Sequence, residues 1–91
     1  MKEVIQTVRI VNRLGLHARA AAKLVHTASA FQARIFLERN GEEVDAKSLL
    51  GILTLAGALG SYITIRAVGA DAREAVEALA TLIARKFDEE E

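Results

Sequence analysis

The chain of 91 residues contains no cysteine, no proline and no tryptophan. Without cysteine it has neither a disulfide framework nor thiol chemistry. Twelve basic and twelve acidic residues give a formal net charge of +0, which removes the usual electrostatic reason to propose a nucleic-acid partner. No apolar run approaches the ~20 residues of a membrane-spanning helix, and the N-terminus lacks the apolar core of a signal peptide. We therefore expect one small cytoplasmic domain, residues 1–91, without a membrane or nucleic-acid partner.

Alternating apolar and polar residues predict four strands, over Val4–Val11, Gln32–Glu38, Glu42–Asp45 and Ser61–Val68. Asn40-Gly41 is typical of a two-residue type I′ turn. Such a turn sets Arg39 opposite Glu42, Glu38 opposite Glu43 and Leu37 opposite Val44. The residues expected to face the core are Val8, Ile10, Ala33, Ile35, Leu37, Ile63, Ile65 and Ala67.

Three helices are predicted between and after the strands. The first, Ala18 to Ala30, contains good helix formers and carries an apolar stripe at helical spacing. The second helix is predicted from Leu49 to about Ala56, with Ser48 as its N-cap. Gly57 and Gly60 are expected to end it. Asp71-Ala-Arg-Glu74 reads as a capping box for the third. The expected buried stripe of the third helix is Ala72, Val76, Leu79, Ala80, Ile83 and Phe87.

The remaining C-terminal residues are charged. Arg85 and Lys86 are expected near the C-terminus of the third helix, where cations suit the helix dipole. Asp88 to Glu91 form an acidic tail that we expect to be frayed.

The element order is strand, helix, strand, strand, helix, strand, helix. Because each strand buries only one face, we expect an α+β fold in which helices cover one side of an antiparallel sheet. A ferredoxin-like module has nearly the same order of elements, so the pattern leaves the order of strands in the sheet open.

The candidate site is Gly15-Leu16-His17-Ala18-Arg19, at the connection between the first strand and the first helix. At a helix start the first backbone N–H groups have no partner within the helix, and the helix dipole adds partial positive charge. A phosphoryl group would be held there by these amides and by Arg19. Neutral imidazole is nucleophilic, so His17 can accept a phosphoryl group and release it again. The plain alternative is that His17 only caps the helix and that Arg19 is a solvated charge.

The second histidine, His26, lies nine residues beyond His17. That spacing places it roughly 180° around the helix, so the two side chains cannot share a metal ion. We interpret His26 as a surface residue and expect neither a metal nor a cofactor.

The second helix has more large apolar residues than one buried stripe requires. Some of them should be exposed, and exposed apolar clusters tend to mark contact sites. Alternatively, a compact core covers most of them. The residues concerned are Leu49, Leu50, Ile52, Leu53 and Leu55.

Two blocks carry a resemblance to a known family. Residues 12–21, with His17 and Arg19, resemble the active-site signature of HPr, the histidine-containing phosphocarrier of the bacterial phosphotransferase system. Residues 47–53, with Ser48, are similar to the regulatory-serine segment of that family. The resemblance extends from about Gln6 to about Phe87. One departure is Ala20, where the family usually has proline; it restores a backbone N–H, and we expect a slightly looser helix start.

The resemblance implies an open-faced β-sandwich, βαββαβα, with strand order 1-4-2-3. It implies a phosphocarrier rather than a self-contained enzyme, acting in sugar uptake and its regulation, and we expect a monomer. Enzyme I, phosphorylated by phosphoenolpyruvate, would phosphorylate Nδ1 of His17, and a IIA component would receive the group. Arg19 and the N–H groups of Ala18 and Arg19 would stabilise it. The expected docking patch is Leu49, Leu50 and Leu53, with Ala20 and Lys23 at its rim.

Ser48 has two interpretations, as an N-cap and as a regulatory site. In the family, an ATP-dependent HPr kinase and phosphatase modifies the matching serine in many bacteria.

Three alternatives stay open for the function of the whole chain. The tail Arg85 to Glu89 resembles the nitrogen-related branch of the family, which serves regulation instead of sugar uptake. The chain could also be an adaptor that binds a transcription factor through the Ser48 helix, or a ligand-binding ferredoxin-like module.

Overall fold

The computed structural model describes residues 2–90; Met1 and Glu91 lie outside the described part. Its elements, in chain order, are β1 (Glu3–Arg9), α1 (Ala18–Ser29), β2 (Arg34–Arg39), β3 (Glu42–Asp45), α2 (Leu49–Thr54), β4 (Tyr62–Val68), α3 (Ala72–Ala84) and a short turn at Lys86–Asp88. Within residues 2–90, none of these helices combines the length and the apolar character that a bilayer crossing requires.

The four strands form one antiparallel sheet in the order β1-β4-β2-β3. The helices pack on one face of the sheet, which makes an open-faced sandwich. This is the strand order that the resemblance implied, and it resolves the ambiguity that the element pattern left. The arrangement places the end of β1, the start of α1 and the end of α3 close to one another.

The β2–β3 hairpin has the predicted turn and register. Asn40 and Gly41 have φ angles of 53° and 83°, as a type I′ turn requires. Arg39 pairs with Glu42, Glu38 with Glu43 and Leu37 with Val44. A two-residue loop leaves no freedom in the register, which is why local sequence was sufficient here.

The core lies between the sheet and the helices and contains most of the predicted residues. Val8 is partly buried and packs against it. Helix α3 also buries Ala75 and Leu82, which the predicted stripe omitted, while Ala80 is only partly buried. The predicted inward residues that are fully or almost fully buried are Ile10, Ala33, Ile35, Leu37, Ile63, Ile65 and Ala67.

The predicted capping box at the start of α3 is wrong. Asp71 is the N-cap, but its side chain makes no capping hydrogen bond. Its two carboxylate oxygens instead accept hydrogen bonds from the backbone N–H groups of Gln32 (2.9 Å) and Ala33 (2.8 Å). These bonds hold the chain that enters β2, and the strand begins only at Arg34. The Gln32 hydrogen bond, acting against partial burial, is the largest cause of the lowered pKa of Asp71.

The sheet face without helices is stabilised by side chains of the sheet itself. Arg66 of β4 lies over the ring of Phe36, with its guanidinium carbon 4.4 Å from the ring centroid. The same guanidinium donates two hydrogen bonds to Glu43, at 3.0 and 2.8 Å, and one to Glu3 at 3.2 Å. One arginine therefore connects strands β1, β2, β3 and β4 on the open face.

Helix α2 is shorter than predicted. It ends at Thr54, and Leu55 is its C-cap. Ala56 then adopts a left-handed backbone with φ of 52°, so the helix ends before Gly57 and Gly60 are reached. The early end allows the chain at Gly57 to turn towards the loop that precedes α1.

Candidate functional site

The loop before α1 is fixed by close backbone contacts. Gly15 has φ of 66°, and a Cβ there would lie 2.3 Å from the carbonyl oxygen of Gly57. The same oxygen accepts a hydrogen bond from Leu16 N at 2.8 Å. Asn12, which is fully buried, donates from Nδ2 to the Gly15 oxygen at 2.9 Å. These contacts set the direction in which the chain enters α1.

His17 is the N-cap of α1, at the junction of strand and helix where the sequence places it. Its backbone is extended, with φ of −74° and ψ of 176°, and its ring nitrogen Nδ1 accepts a hydrogen bond from Arg19 N at 3.2 Å. The side chain is 26% exposed, so the ring is partly accessible to solvent. The ring thus occupies the place where a helix start concentrates unpaired N–H groups and positive dipole charge.

An open cavity of about 630 Å³ lies beside the His17 ring. Ala18 and Arg19 are exposed. Within residues 2–90 the structure gives the Arg19 guanidinium no hydrogen bond or ion pair, so it is available to a ligand. The walls of this cavity carry two arginines and two glutamates. The lining residues are Arg13, Leu14, His17, Ala18, Arg19, Glu89 and Glu90.

In the acidic tail, Asp88 and Glu89 are held by hydrogen bonds, so the predicted fraying is wrong at these two residues; Glu91 lies outside the described residues. The Glu89 carboxylate contacts Nε2 of His17 directly and accepts a second hydrogen bond from Asn12 Nδ2 at 3.1 Å. Burial raises the pKa of Glu89, but the hydrogen bonds from His17 and Asn12 outweigh it, so the pKa lies below its usual value.

A left-handed turn brings the tail back to His17. Lys86, Phe87 and Asp88 have φ angles of 60°, 56° and 62°. Each residue in this left-handed conformation lowers the stability of the folded state by roughly 1–2 kcal/mol. Burial of a Phe side chain contributes about 1.5–3 kcal/mol of stability in the opposite direction. Phe87 is fully buried, its carbonyl accepts a hydrogen bond from Lys23 Nζ at 2.6 Å, and Arg85 bonds Asp88 at 3.1 Å.

This turn corrects the expected place of Phe87, while Arg85 and Lys86 lie just beyond the last helical residue, near the C-terminus of α3 as predicted. The helix ends at Ala84, and its last turn contains no basic residue, because Arg85 is the C-cap and Lys86 lies in the left-handed turn. Phe87 is buried as predicted but belongs to that turn instead of the helical stripe. Phe87 was the signal in the sequence for this turn, since a large apolar residue beyond the end of a helix is expected to be buried.

Helix α2 presents part of its apolar surface to solvent, as predicted, and packs against α1. Leu50 is 76% exposed, and Leu49 and Leu53 are also partly exposed, whereas Ile52 and Leu55 are buried. Leu14, also exposed, lies on the wall of the cavity beside His17 and was missed, because it is a single leucine in a turn.

The two residues expected at the rim of the docking patch differ in exposure. Ala20 is fully buried in the core, so its side chain is not on the surface. It faces inward because it lies on the same side of α1 as Leu24, four residues later. Lys23 is half-buried, and its ammonium group holds the Phe87 carbonyl.

Ser48 is half-buried at the start of α2 and caps it. Its Oγ accepts a hydrogen bond from Gly51 N at 3.1 Å. His26 is exposed on α1, as predicted. Across residues 2–90, no group of three or more His, Cys, Asp or Glu side chains is arranged to hold a metal ion.

Comparisons with known proteins agree with this geometry. Residues 4–85 match the family model described as "PTS HPr component phosphorylation site". The chain is 49% identical over 82 residues to the phosphocarrier protein HPr of Cupriavidus necator, covering 90% of this chain and 92% of that protein. It is 43% identical over 89 residues to the phosphocarrier protein NPr of Shewanella violacea, covering 98% of each.

A solved structure shows the same fold over the whole chain. The crystal structure described as HPr-C-His from Thermoanaerobacter tengcongensis superposes with a TM-score of 0.91 at 46% identity and covers 100% of both chains. With a family model over residues 4–85 and relatives of this similarity, the chain belongs to the HPr family of phosphocarrier proteins of the phosphotransferase system.

Proposed function

We propose that this chain relays a phosphoryl group through Nδ1 of His17, from phosphorylated enzyme I to a IIA component of the phosphotransferase system. The observation that carries the proposal is the position of His17 as the N-cap of α1 at the wall of an open cavity. The protein would be an intermediate in transfer, since nothing in the proposal requires it to complete a reaction alone.

The hydrogen bond from Arg19 N supports the choice of Nδ1 as the acceptor atom. Because Nδ1 accepts a hydrogen bond from the N–H group of Arg19, this nitrogen carries a lone pair and no proton. When a phosphoryl group forms a bond to that lone pair, the Arg19 N–H is free to donate to a phosphoryl oxygen. The first-turn N–H of Ala18 adds a second donor of the same kind.

The position of the Arg19 side chain supports a role in stabilising the negative charge of the phosphoryl group. The side chain is exposed and lies on the wall of the same cavity. Phosphoryl transfer depends mainly on positioning and on charge stabilisation. A guanidinium carries a permanent charge and donates hydrogen bonds in the planar geometry that phosphate oxygens fit.

The test is incubation with enzyme I and phosphoenolpyruvate, followed by measurement of acid-labile phosphate. The wild-type chain should be labelled and His17→Ala should not. His26→Ala is the matched control, because His26 is the other histidine and is exposed on the same helix; it should be labelled like wild type. Labelling that persists in His17→Ala would contradict the proposal.

We propose that the exposed leucines of α2 contact the partners. Leu49, Leu50 and Leu53 present apolar surface on an element that packs against α1, the helix that His17 caps. A relay needs an interface that forms and releases quickly, and a small apolar patch with a polar surround fits that need.

We propose that Ser48 is a regulatory phosphorylation site in addition to an N-cap. Its side chain is half-buried, and a phosphate there would lie at the positive end of α2. Incubation with ATP and an HPr kinase should give an acid-stable phosphoprotein, and Ser48→Ala should give none. Ser29→Ala, at the exposed end of α1, is the control and should behave like wild type.

The nitrogen-related branch is a second candidate for the pathway served. The 43% identity to an NPr, over 98% of both chains, favours it, whereas the higher identity to an HPr favours sugar uptake. Transfer from the phosphorylated chain to a sugar-specific IIA and to a nitrogen-related IIA, measured side by side, decides between the two. An adaptor role through the Ser48 helix alone predicts transfer to neither.

A further inference from the structure

We propose that Glu89 is a positioning residue for phosphoryl transfer, because its carboxylate holds the proton on Nε2 of His17 while Nδ1 exchanges the phosphoryl group. This inference rests on the proposed function and deepens it. It gives a task to the tail beyond α3, which neither the active-site signature nor the docking surface uses.

The two partners of the ring determine where its proton lies. Nδ1 accepts from the Arg19 N–H at 3.2 Å, so Nδ1 is unprotonated. Nε2 contacts the Glu89 carboxylate, which has only acceptor atoms when ionised. Nε2 must therefore be the protonated nitrogen. Glu89 fixes the ring from the side opposite to the atom that reacts, so it orients the imidazole without occupying the position of the phosphoryl group.

Asn12 holds the Glu89 carboxylate in place. Its side-chain amide donates to Glu89 at 3.1 Å and to the Gly15 carbonyl at 2.9 Å. Both partners are acceptors, so the amide orientation is determined. Asn12 is fully buried and its Oδ1 has no hydrogen-bond partner within the described residues. A buried amide that leaves its own oxygen unpaired in order to hold a carboxylate indicates that the carboxylate has a task.

The backbone that carries Glu89 is held in an unfavourable conformation. Three consecutive residues, Lys86, Phe87 and Asp88, have left-handed φ angles without a glycine among them. Such conformations persist only where the surroundings enforce them, and they concentrate at functional sites. Here Phe87 is anchored in the core, and Lys23 Nζ donates to its carbonyl at 2.6 Å.

The chemistry gives the carboxylate a role in both directions of transfer. On acceptance, the Nδ1 lone pair forms a bond to phosphorus, and the bond between phosphorus and its donor breaks with the electron pair leaving on the donor. Nε2 keeps its proton, so the ring gains one positive charge beside the negative Glu89. On delivery the electron pair returns to Nδ1 and the ring is neutral again. No proton has to be gained or lost in either step.

Other charged groups surround this contact. Lys23 from α1 reaches the tail through Phe87, and Arg13, Arg19 and Glu90 line the cavity beside His17. Of these, Glu90 is exposed and lies on the same tail as Glu89. Glu77, exposed on α3, lies outside the lining of this cavity and offers a control in which the same charge is removed away from the site.

The experiment compares wild type, Glu89→Gln and Glu77→Gln as full chains. Each is phosphorylated with enzyme I and phosphoenolpyruvate, the initial rate is measured, and imidazole nitrogen NMR then follows loss of the Nε2 proton from the phosphorylated ring as the pH rises. For Glu89→Gln we expect deprotonation about one pH unit lower and phosphorylation roughly 10-fold slower, the effect of losing one charge-assisted hydrogen bond. Glu77→Gln should match wild type in both.

A merely structural role for Glu89 would alter thermal unfolding but not the deprotonation midpoint. If Glu89→Gln has the wild-type midpoint and rate, the inference is overturned while the proposed function stands. If wild type itself takes no phosphoryl group, the proposed function fails, and the inference fails with it. Failure of the inference alone is thus recognised by normal labelling of all three chains.

Discussion

Gly15 and Gly57 lie so close that no side chain fits between them. A Cβ on Gly15 would lie 2.3 Å from the Gly57 carbonyl oxygen and 3.0 Å from the Cα of Ala58. The Gly57 oxygen also accepts a hydrogen bond from Leu16 N, at 2.8 Å. This contact joins the loop before His17 to the loop that follows α2, so it connects the candidate acceptor to the helix that carries the proposed docking patch.

Substitution of Gly15 by alanine should therefore be strongly destabilising. Both the left-handed φ of 66° and the clash with Gly57 oppose a side chain, and we expect a loss of about 2–4 kcal/mol in the free energy of unfolding. Urea unfolding measures it. Gly41→Ala is the control, because Gly41 also has a positive φ but no atom within 4 Å of the added Cβ. Equal losses in the two variants would show that the close contact is unimportant.

Substitution of Arg19 by alanine should slow phosphoryl transfer without loss of stability. The guanidinium has no partner among residues 2–90, and we expect a rate roughly 100-fold lower, with the unfolding midpoint unchanged. Initial rates of labelling by enzyme I give the effect. Arg73→Ala, at an exposed position of α3, should keep the wild-type rate. An unchanged rate in Arg19→Ala would remove Arg19 from the mechanism.

Substitution of Leu50 by serine should weaken partner docking. Leu50 is 76% exposed, so its loss should change stability by no more than about 0.5 kcal/mol. As an apolar contact at an interface it should matter about 10-fold in the KM for phosphorylated enzyme I. Leu59→Ser is the control, since Leu59 is an exposed leucine outside α2. If the two variants have the same KM, the patch on α2 is not the docking site.

Substitution of Asp71 by asparagine should make stability less dependent on pH. The native-state pKa of Asp71 is lowered, chiefly by the hydrogen bond from Gln32 N. Its contribution is therefore complete above the ordinary aspartate pKa of about 3.9 and disappears as the pH falls through the lowered native value. The destabilisation by Asp71→Asn should be largest at neutral pH and vanish in acid.

Urea midpoints between about pH 2 and pH 7, a range that brackets the ordinary carboxylate values, measure this dependence. Glu74→Gln is the control, because Glu74 is exposed and was expected in the same capping box. It should show no such dependence. A difference between wild type and Asp71→Asn that persists at the acid end would contradict the assignment of the two backbone hydrogen bonds to the ionised carboxylate.

Features that depend on neighbouring residues were predictable from the sequence. The register of the β2–β3 hairpin follows from the two residues of its turn, Asn40 and Gly41. The N-caps His17 and Ser48 follow from their position before a helical pattern. The strand order required the family resemblance, because local patterns do not say which strands become neighbours.

Features that depend on distant contacts were not predictable. Asp71 has the sequence context of a capping box, but two amides of the β2 entry compete successfully for its carboxylate. The tail contains no glycine that would indicate a left-handed turn in the sequence. Burial of Phe87 enforces this turn. Glu89 was therefore expected in a frayed acidic tail, although it contacts a histidine 72 residues away.

The most direct test of the account identifies the atom that carries the phosphoryl group. The chain, labelled with nitrogen-15 in histidine, is phosphorylated with enzyme I and phosphoenolpyruvate, and the coupling between phosphorus-31 and nitrogen-15 is recorded. The account predicts a single phosphohistidine, at residue 17, with phosphorus bonded to Nδ1. Phosphorus bonded to Nε2, or found on His26 or on a side chain other than histidine, would contradict it.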